Sequence, residues 1–206
     1  FAALKKMGYE QASRCFHLPY ALVVLPEGKM SSRAGTAILF SKLQQEMCDF
    51  VRNNYLESHR ESWSDEEIES TTRKVAVAAI KYGMLNQDPN KQITFSLKDW
   101  LVSEGDTGVY LIYAYVRIRS IVRQFENFDP QAEIDFELLK HSHEKAIIRK
   151  LFDFNDIVYQ AAEQYRPSLL ARTLFELCKD FSRCYSSCSV KPVSYTHLRA
   201  HETLSY

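Results

Sequence analysis

The chain has 206 residues, and its 26 lysine and arginine residues balance 26 aspartate and glutamate residues. A neutral total gives no overall electrostatic footprint for nucleic acid, so any contact with RNA must come from a local patch. The longest apolar run, 21–26, is far shorter than the roughly 20 residues of a membrane-spanning helix, so the sequence predicts a soluble globular protein without a membrane segment.

The first forty residues are typical of the end of an α/β layer. Residues 1–8 are predicted to end a helix, with Gly8 just past its last turn. The aliphatic and β-branched stretch 18–25 predicts a buried strand, and 36–40 predicts a second short strand. Between them lies the loop Pro26-Glu27-Gly28-Lys29-Met30-Ser31-Ser32-Arg33-Ala34-Gly35, which we call the signature loop.

The signature loop has the residue types that hold a phosphate. Its glycines let the backbone approach a ligand, its serines and backbone N–H groups donate hydrogen bonds, and Lys29 supplies a mobile positive charge. Because the motif is short, a solvated basic turn is the alternative interpretation.

After the signature loop the pattern becomes helical. Ser41 with Gln44 predicts the capped start of a helix that reaches about residue 58. Ser64 with Glu67 predicts the same for a helix that reaches about residue 82. Residues 87–92 contain Asp88-Pro89-Asn90 and predict a loop.

A glycine-bounded turn, Glu104-Gly105-Asp106-Thr107-Gly108, precedes a long apolar helix that should reach about Phe125. Asp106 or Thr107 would be its N-cap. Asp129-Pro130 is predicted to break the chain. Further helices are predicted from about His143 to Tyr165 and from Arg166-Pro167-Ser168 to about Cys188. The pattern therefore predicts a mainly α protein, with a short α/β remnant followed by an α-helical bundle.

Tyr110, Tyr113 and Arg117 fall at i, i+3 and i+7 on one face of the helix after Gly108. Two rings and a cation on one face suit stacking on unpaired RNA bases. Aromatic residues at helical spacing also occur in cores, so both interpretations stay open. Arg119 and Arg123 lie one turn apart and either contact phosphates or form a solvated flank.

The five cysteines are scattered and include no Cys-x-x-Cys pair, which argues against a disulfide framework and a zinc site. They fit a reduced, cytoplasmic protein, and we interpret the neighbouring Cys178, Cys184 and Cys188 as buried thiols. His141 and His143 have no acidic or cysteine partner arranged for a metal, and we interpret them as surface residues. The sequence thus predicts no metal site formed by these residues.

Two ordered stretches resemble known signatures. Lys29-Met30-Ser31-Ser32 resembles the KMSKS signature of class I aminoacyl-tRNA synthetases, and SEGDTGVYLIYAYVRIRSI at 103–121 resembles the arginyl-tRNA synthetase hallmark. Residues 17–23, 78–85 and 166–185 resemble other parts of that family, so the resemblance covers about residues 1–191. The tail from Val193 resembles a translated sequencing adapter.

The resemblance implies three regions. Residues 1–45 would be the end of a catalytic domain with the signature loop, and 46–192 an α-helical anticodon-binding domain. Residues 193–206 would be a non-native tail, and we do not interpret its His197 and His201 as a metal pair.

The resemblance also implies a function, which is ATP-dependent activation of arginine, with Mg²⁺, and transfer of the arginine to tRNA(Arg). The residues that it assigns to catalysis are Lys29, Ser31, Ser32 and Arg33. Those that it assigns to ATP are His17, Lys29, Met30 and Ser31. Those that it assigns to tRNA are Gly105, Asp106, Tyr110, Tyr113, Arg117 and Arg119.

The chain departs from the family pattern at three positions. Ser32 replaces the second lysine of the KMSKS signature, and Arg33 or an upstream lysine would have to supply its charge. Ile112 stands where the family usually has glutamine, and Tyr115 stands where it usually has histidine. The first change bears on catalysis, and the other two bear on anticodon contacts.

The HIGH signature and the arginine pocket lie upstream in the family and are not in this sequence. We therefore expect a fragment, truncated at both ends, that does not form arginyl-adenylate alone. The alternative is a non-catalytic tRNA-binding or assembly module that kept the helical bundle. The hallmark at 103–121 opposes a third interpretation, an unrelated nucleotide-binding protein with a chance lysine-serine loop.

Overall fold

The computed structural model describes residues 1–30, 33, 35, 37–124, 131 and 135–188. This part of the chain is mainly α-helical with one small sheet, as the sequence predicted. The helices are α1 Ala2–Lys6, α2 Phe40–Val51, α3 Asp65–Leu85, α4 Leu97–Leu101, α5 Gly108–Arg123, α6 Ser142–Glu163 and α7 Pro167–Ser187. The strands are β1 Val23–Leu25, β2 Gly28–Lys29 and β3 Ile93–Thr94. Short 3₁₀ segments occupy Glu10–Arg14, Glu57–His59 and Phe136–Leu138, and Arg52–Leu56 is π-helical.

The sheet has the order β2-β1-β3. Strand β1 pairs antiparallel with β2, where Val24 lies opposite Lys29, and parallel with β3, where Val23 lies opposite Ile93. The prediction of a buried strand over 18–25 is therefore correct only for its last three residues. Leu18, Tyr20 and Leu22 are exposed, because β2 and β3 are two residues long and leave the earlier residues without a paired strand.

The predicted strand over 36–40 is wrong. Thr36 lies outside the described residues, 37–39 have no regular structure, and Phe40 already begins α2. The physical reason is that the chain turns back directly after β1. Gly28 and Lys29 thereby occupy the edge of β1 that the predicted strand needed.

Helix α2 begins one residue before the predicted cap. Its N-cap is Leu39, which makes no side-chain capping bond, so the predicted pairing of Ser41 with Gln44 is wrong. The start of the helix is stabilised instead by burial of Leu43, Met47 and Val51, which recur every four residues and line one face. These side chains form the core together with α3, Phe95 and Leu101.

Helix α3 confirms its predicted cap. The Glu67 backbone N–H donates to Ser64 Oγ at 3.3 Å, and the Ser64 N–H donates to Glu67 Oε2 at 2.9 Å. Hydrogen bonds from Ser64 lower the pKa of Glu67, and the bond from the Ser64 backbone N–H has the largest effect. Farther along, Ala76 and Ala79 are almost fully buried. Their small side chains allow neighbouring helices to approach α3 closely.

Helices α6 and α7 form a hairpin near their predicted positions. The connection contains Tyr165, whose φ is +53°, and α7 starts with Pro167 at its first turn. Only Ala161 of α6 is buried. An ion pair supplements this packing, because Lys150 Nζ lies 2.5 Å from Oδ2 of Asp180, which is 7% exposed.

The connection between α6 and α7 is also tied to the segment before β1. Arg166 donates to Asp88 Oδ2 at 2.9 Å, and the Ala21 N–H donates to the Pro89 carbonyl at 2.8 Å. The rings of Phe16 and Tyr165 stack with their centroids 4.4 Å apart. Three contacts thus join the segment 16–21, the loop before β3 and the hairpin.

The cysteines are all free. Cys48 is buried, and Cys178, Cys184 and Cys188, which were predicted to be buried, are half-buried, whereas Cys15 is exposed. Its side chain lies at the end of a surface 3₁₀ segment, where no core element covers it. Burial, together with a hydrogen bond to Cys188, raises the pKa of Cys184 to about 11. That thiol is therefore protonated at neutral pH and is a poor nucleophile.

No group of three or more His, Cys, Asp and Glu side chains within the ranges given above is placed to hold a metal ion. Across the same ranges, no helix is long and apolar enough to cross a membrane.

Candidate nucleic-acid interface

Helix α5 starts at a well-defined cap that sets the direction of its side chains. Thr107 Oγ1 accepts from the Tyr110 N–H at 3.2 Å and donates to the Val102 carbonyl at 2.8 Å. Thr107 is therefore the N-cap, one of the two candidates that the sequence offered. From this start, α5 carries Tyr113 and Arg117 toward α7.

Arg117 lies between two tyrosine rings. Its Cζ atom is 4.4 Å from the ring centroid of Tyr113 and 4.6 Å from that of Tyr185 on α7. The guanidinium also donates to the Tyr113 hydroxyl. We call Tyr113, Arg117 and Tyr185 the tyrosine–arginine stack. It combines contacts of one guanidinium with two aromatic rings, and a guanidinium has five N–H donors in all.

No carboxylate of the described residues neutralises the charge in this stack. Within the described ranges, Arg117 takes part in no ion pair with Asp or Glu. Tyr185 is 40% exposed, so one ring of the stack is accessible. An accessible ring beside an unpaired guanidinium suits a base, by stacking, and a phosphate, by charge.

Tyr110 has a different environment from Tyr113. Its hydroxyl lies 3.0 Å from Ser182 Oγ, and its ring meets the Phe175 ring edge-on with centroids 5.7 Å apart. Both partners belong to α7. Of the two interpretations that the sequence left open, these contacts favour packing between α5 and α7 for Tyr110.

The turn before α5 is hydrogen-bonded to the end of α3. The Asp106 carboxylate accepts from the Tyr82 hydroxyl and from Asn86 Nδ2, the latter at 2.7 Å. We call Tyr82, Asn86 and Asp106 the Asp106 network. Gly105, with φ of +81°, forms the turn that brings Asp106 to α3. The contacts of Asp106 are thus within the protein, although the resemblance assigned it to tRNA.

Burial raises the pKa of Tyr82, and the hydrogen bond and negative charge of Asp106 raise it further. The folded state therefore keeps the phenolic proton to a higher pH than the unfolded state. The stability from Tyr82 is complete below its ordinary pKa of 10.0 and is lost as the pH rises above it.

We predict that the stability advantage of the wild type over Tyr82→Phe is constant up to about pH 9 and shrinks by about pH 11. Urea unfolding across this pH range measures the difference. Tyr159→Phe, at an exposed position of α6, is the control and should show no such trend. A Tyr82→Phe difference that stays constant to about pH 11 would contradict the raised pKa.

The outer side of α5 carries the other predicted contacts. Arg119 and Arg123 are exposed, and within the part of the chain that the structure describes neither forms an ion pair. Tyr115 is 59% exposed, so it is the most accessible tyrosine of the helix. Charges and rings are therefore available to solvent on this side as well as in the stack.

The signature loop begins in the hairpin of β1 and β2. Lys29 is exposed in β2, Met30 is half-buried, and Arg33 and His17 are exposed. Ser31 and Ser32 lie outside the described residues. Among the residues described, no hydrogen bond or ion pair joins His17, Lys29 and Arg33. The structure thus positions Lys29 on a strand, and the predicted ATP set stays a prediction.

The sequence analysis missed Tyr185 as a partner of Arg117. A signal was available, because Phe175, Cys178, Ser182 and Tyr185 recur at intervals of three and four residues on one face of α7. The pattern predicts a packed face. It does not reveal that this face meets α5, which is a property of the tertiary fold.

Known proteins are similar to this chain along most of its length. Residues 111–204 match the family model of the DALR anticodon binding domain. An arginine–tRNA ligase of Bdellovibrio bacteriovorus is 40% identical over 190 residues, which cover 92% of this chain and 33% of the relative. The ligase of Flavobacterium psychrophilum is 34% identical over 191 residues, covering 92% of this chain and 31% of the relative. The structure of Thermus thermophilus arginyl-tRNA synthetase matches with a TM-score of 0.79 and 31% identity, over 98% of this chain and 33% of that one.

The stretch from Leu111, which includes most of α5 and all of α6 and α7, thus matches a DALR anticodon-binding domain. Homologues that are arginine–tRNA ligases cover nearly the whole chain, as the resemblance at 103–121 implied, and the chain spans about a third of the length of these curated relatives. The family-model match runs to residue 204 and includes most of the tail 193–206. The adapter origin of that tail stays a prediction, and the tail lies outside the described residues.

Proposed function

We propose that this chain supplies the anticodon-binding part of an arginine–tRNA ligase, and that its tyrosine–arginine stack contacts the anticodon loop of tRNA(Arg). The observation that carries the proposal is the contact of the Arg117 guanidinium with the rings of Tyr113 and the accessible Tyr185. The match to the DALR family supports the same region. Residues 46–192 would form this domain, in the cytoplasm where translation occurs.

The test is binding of an RNA hairpin that carries an arginine anticodon, measured by fluorescence anisotropy at fixed salt. Arg117→Ala should weaken binding by roughly tenfold, the loss that corresponds to one stacking or charge-assisted contact. Arg117→Lys keeps the charge but loses the planar stack, so it should fall in between.

Arg149→Ala is the matched control. Arg149 is exposed on α6 and, within the described residues, has no ion pair. The variant removes the same charge without touching the stack, so it should retain nearly all the affinity. An equal loss in both alanine variants would mean that only long-range charge matters, and would contradict a site at Arg117.

We also propose that the complete ligase activates arginine with ATP and Mg²⁺, and that the signature loop acts on the ATP side. Lys29 would stabilise the phosphates as pyrophosphate leaves, helped by Met30, His17, Ser31, Ser32 and Arg33. The proposal is supported by the exposure of Lys29 in β2, because an exposed, flexible ammonium can follow a developing charge.

Arginine-dependent exchange of pyrophosphate into ATP separates the two functions. We expect the 206-residue chain to bind the hairpin and to show no exchange, because the arginine pocket is not among the segments assigned to it. Detectable exchange by the purified chain would contradict this expectation. In a complete ligase with the same loop, replacing the equivalent of Lys29 with alanine should lower the exchange rate by about 100-fold or more.

A further inference from the structure

The Asp106 network joins the two helices that build the tyrosine–arginine stack. Asp106 lies at the start of α5, which carries Tyr113 and Arg117. The Tyr82 hydroxyl contacts both the Asp106 carboxylate and the Ala171 carbonyl of α7, the latter at 3.3 Å. Helix α7 carries Tyr185. One phenol of α3 thus touches both elements whose relative position sets the stack.

We infer that Asp106 is a positioning residue for RNA binding: its carboxylate, held by Tyr82 and Asn86, fixes α5 against α3 and α7 so that Arg117 enters the space between Tyr113 and Tyr185. The part of this inference that concerns RNA rests on the proposed function. The part that concerns the stack does not.

Although Asp106 is exposed, its hydrogen bonds point to a role within the protein. Its two carboxylate oxygens are both engaged, Oδ1 by Tyr82 and Oδ2 by Asn86. Arg117 lies eleven residues farther along the chain, or about 16 Å along a helix axis. A carboxylate would also repel the phosphates of RNA. Asp106 therefore acts on the stack through the placement of the helix.

The close approach of α5 to α3 makes this placement sensitive. Gly108, two residues after Asp106, lies so near α3 that an added Cβ would be 2.5 Å from the Ala78 carbonyl oxygen. Tyr82, one turn after Ala78, borders the same contact. The carboxylate and the glycine together fix the first turn of α5 at one position on α3.

The experiment compares three forms of the 206-residue chain: wild type, Asp106→Asn, and the exchange variant Asp106→Asn/Asn86→Asp. The exchange variant restores a carboxamide-to-carboxylate hydrogen bond with its direction reversed and keeps the net charge. NMR reports the stack directly, because ring currents of Tyr113 and Tyr185 shift the side-chain protons of Arg117 upfield. Binding of the RNA hairpin is the second readout.

We expect Asp106→Asn to lose part of the upfield shift and to weaken RNA binding by roughly three- to tenfold. The direction of the change in RNA affinity distinguishes positioning from a simple charge effect, because removing a negative charge would by itself strengthen binding to RNA. The exchange variant should recover both the shift and the affinity. Asp153→Asn removes an exposed carboxylate of α6 and is the charge control, which should leave the ring-current shift unchanged.

The inference is overturned if Asp106→Asn keeps the ring-current shift, or if the folded exchange variant fails to recover it. If the wild type does not bind the hairpin, the proposed function fails while the NMR shift still decides the role of Asp106. Should Asp106→Asn not fold, Tyr82→Phe removes one bond of the network and should lose part of the shift; an unchanged shift would also overturn the inference.

Discussion

Gly108→Ala is expected to destabilise the chain by about 2–3 kcal/mol, the usual range for forcing an extra methyl group into a packed contact. The new Cβ would lie 2.5 Å from the Ala78 oxygen, 2.8 Å from the Ala78 carbonyl carbon and 2.9 Å from Tyr82 Cβ. Two of these atoms are backbone, so no side-chain rotation relieves the contact. Helix α5 would have to move away from α3. Urea unfolding followed by circular dichroism measures the change.

Gly105→Ala is the control for this prediction. Gly105 has φ of +81° but no heavy atom within 4 Å of an added Cβ. The substitution therefore introduces backbone strain of about 1 kcal/mol without a steric contact. Gly108 has no positive φ, and alanine there gains some helix propensity. If Gly108→Ala nevertheless costs less than Gly105→Ala, the close contact of α5 with α3 is wrong.

Lys150→Met is expected to destabilise the hairpin of α6 and α7 by about 2 kcal/mol. Methionine keeps most of the apolar length but removes the ammonium that lies 2.5 Å from the Asp180 carboxylate. Asp180 would remain buried with Arg183, which is 3.3 Å away and has a 57% exposed side chain, as its ion-pair partner. Ala161 is the one buried residue of α6, so the other apolar side chains of the helix are at most half-buried.

Hydrogen exchange along α6 and urea unfolding together test this prediction. Protection should fall mainly in α6, since α7 also packs against α3 and α5. Lys145→Met is the matched control, at an exposed position of α6 that has no ion pair within the described residues. We expect it to change stability by less than about 0.5 kcal/mol. Equal effects of the two variants would rule out a role for the buried pair.

The sequence predicted the features that depend on neighbouring residues. Ser64 and Glu67 form the predicted box because both bonds close within four residues. Thr107 caps α5 for the same reason. The wrong prediction at Ser41 shows the limit of predicting helix starts from polar caps. Helix α2 starts without a polar cap, at a position that buries Leu43 and Met47 in the core.

Local sequence patterns could not predict the features that depend on contacts between residues far apart in the chain. The strand predicted over 36–40 does not form, because β2 pairs with that edge of β1, where Lys29 lies opposite Val24 after a tight turn. Spacing placed Tyr110, Tyr113 and Arg117 on one helix face, but only the docking of α7 separates Tyr110, which packs, from Tyr113, which stacks. Tyr185 comes from a helix about 70 residues away in the chain, and no local pattern connects it with Arg117.

The ends of α7 contact two different parts of the molecule. Near the last turn of α7, the ring of Tyr185 contacts the Arg117 guanidinium. Just before its first turn, Arg166 donates a hydrogen bond to Asp88. The next residue along the chain, Pro89, accepts a hydrogen bond from the Ala21 N–H ahead of β1. A helix of 21 residues is a stiff rod of about 30 Å. We therefore expect a tilt of α7 at Tyr185 to displace Arg166 at the other end of the helix. A change in the hydrogen-exchange rate of the Ala21 amide would report that displacement.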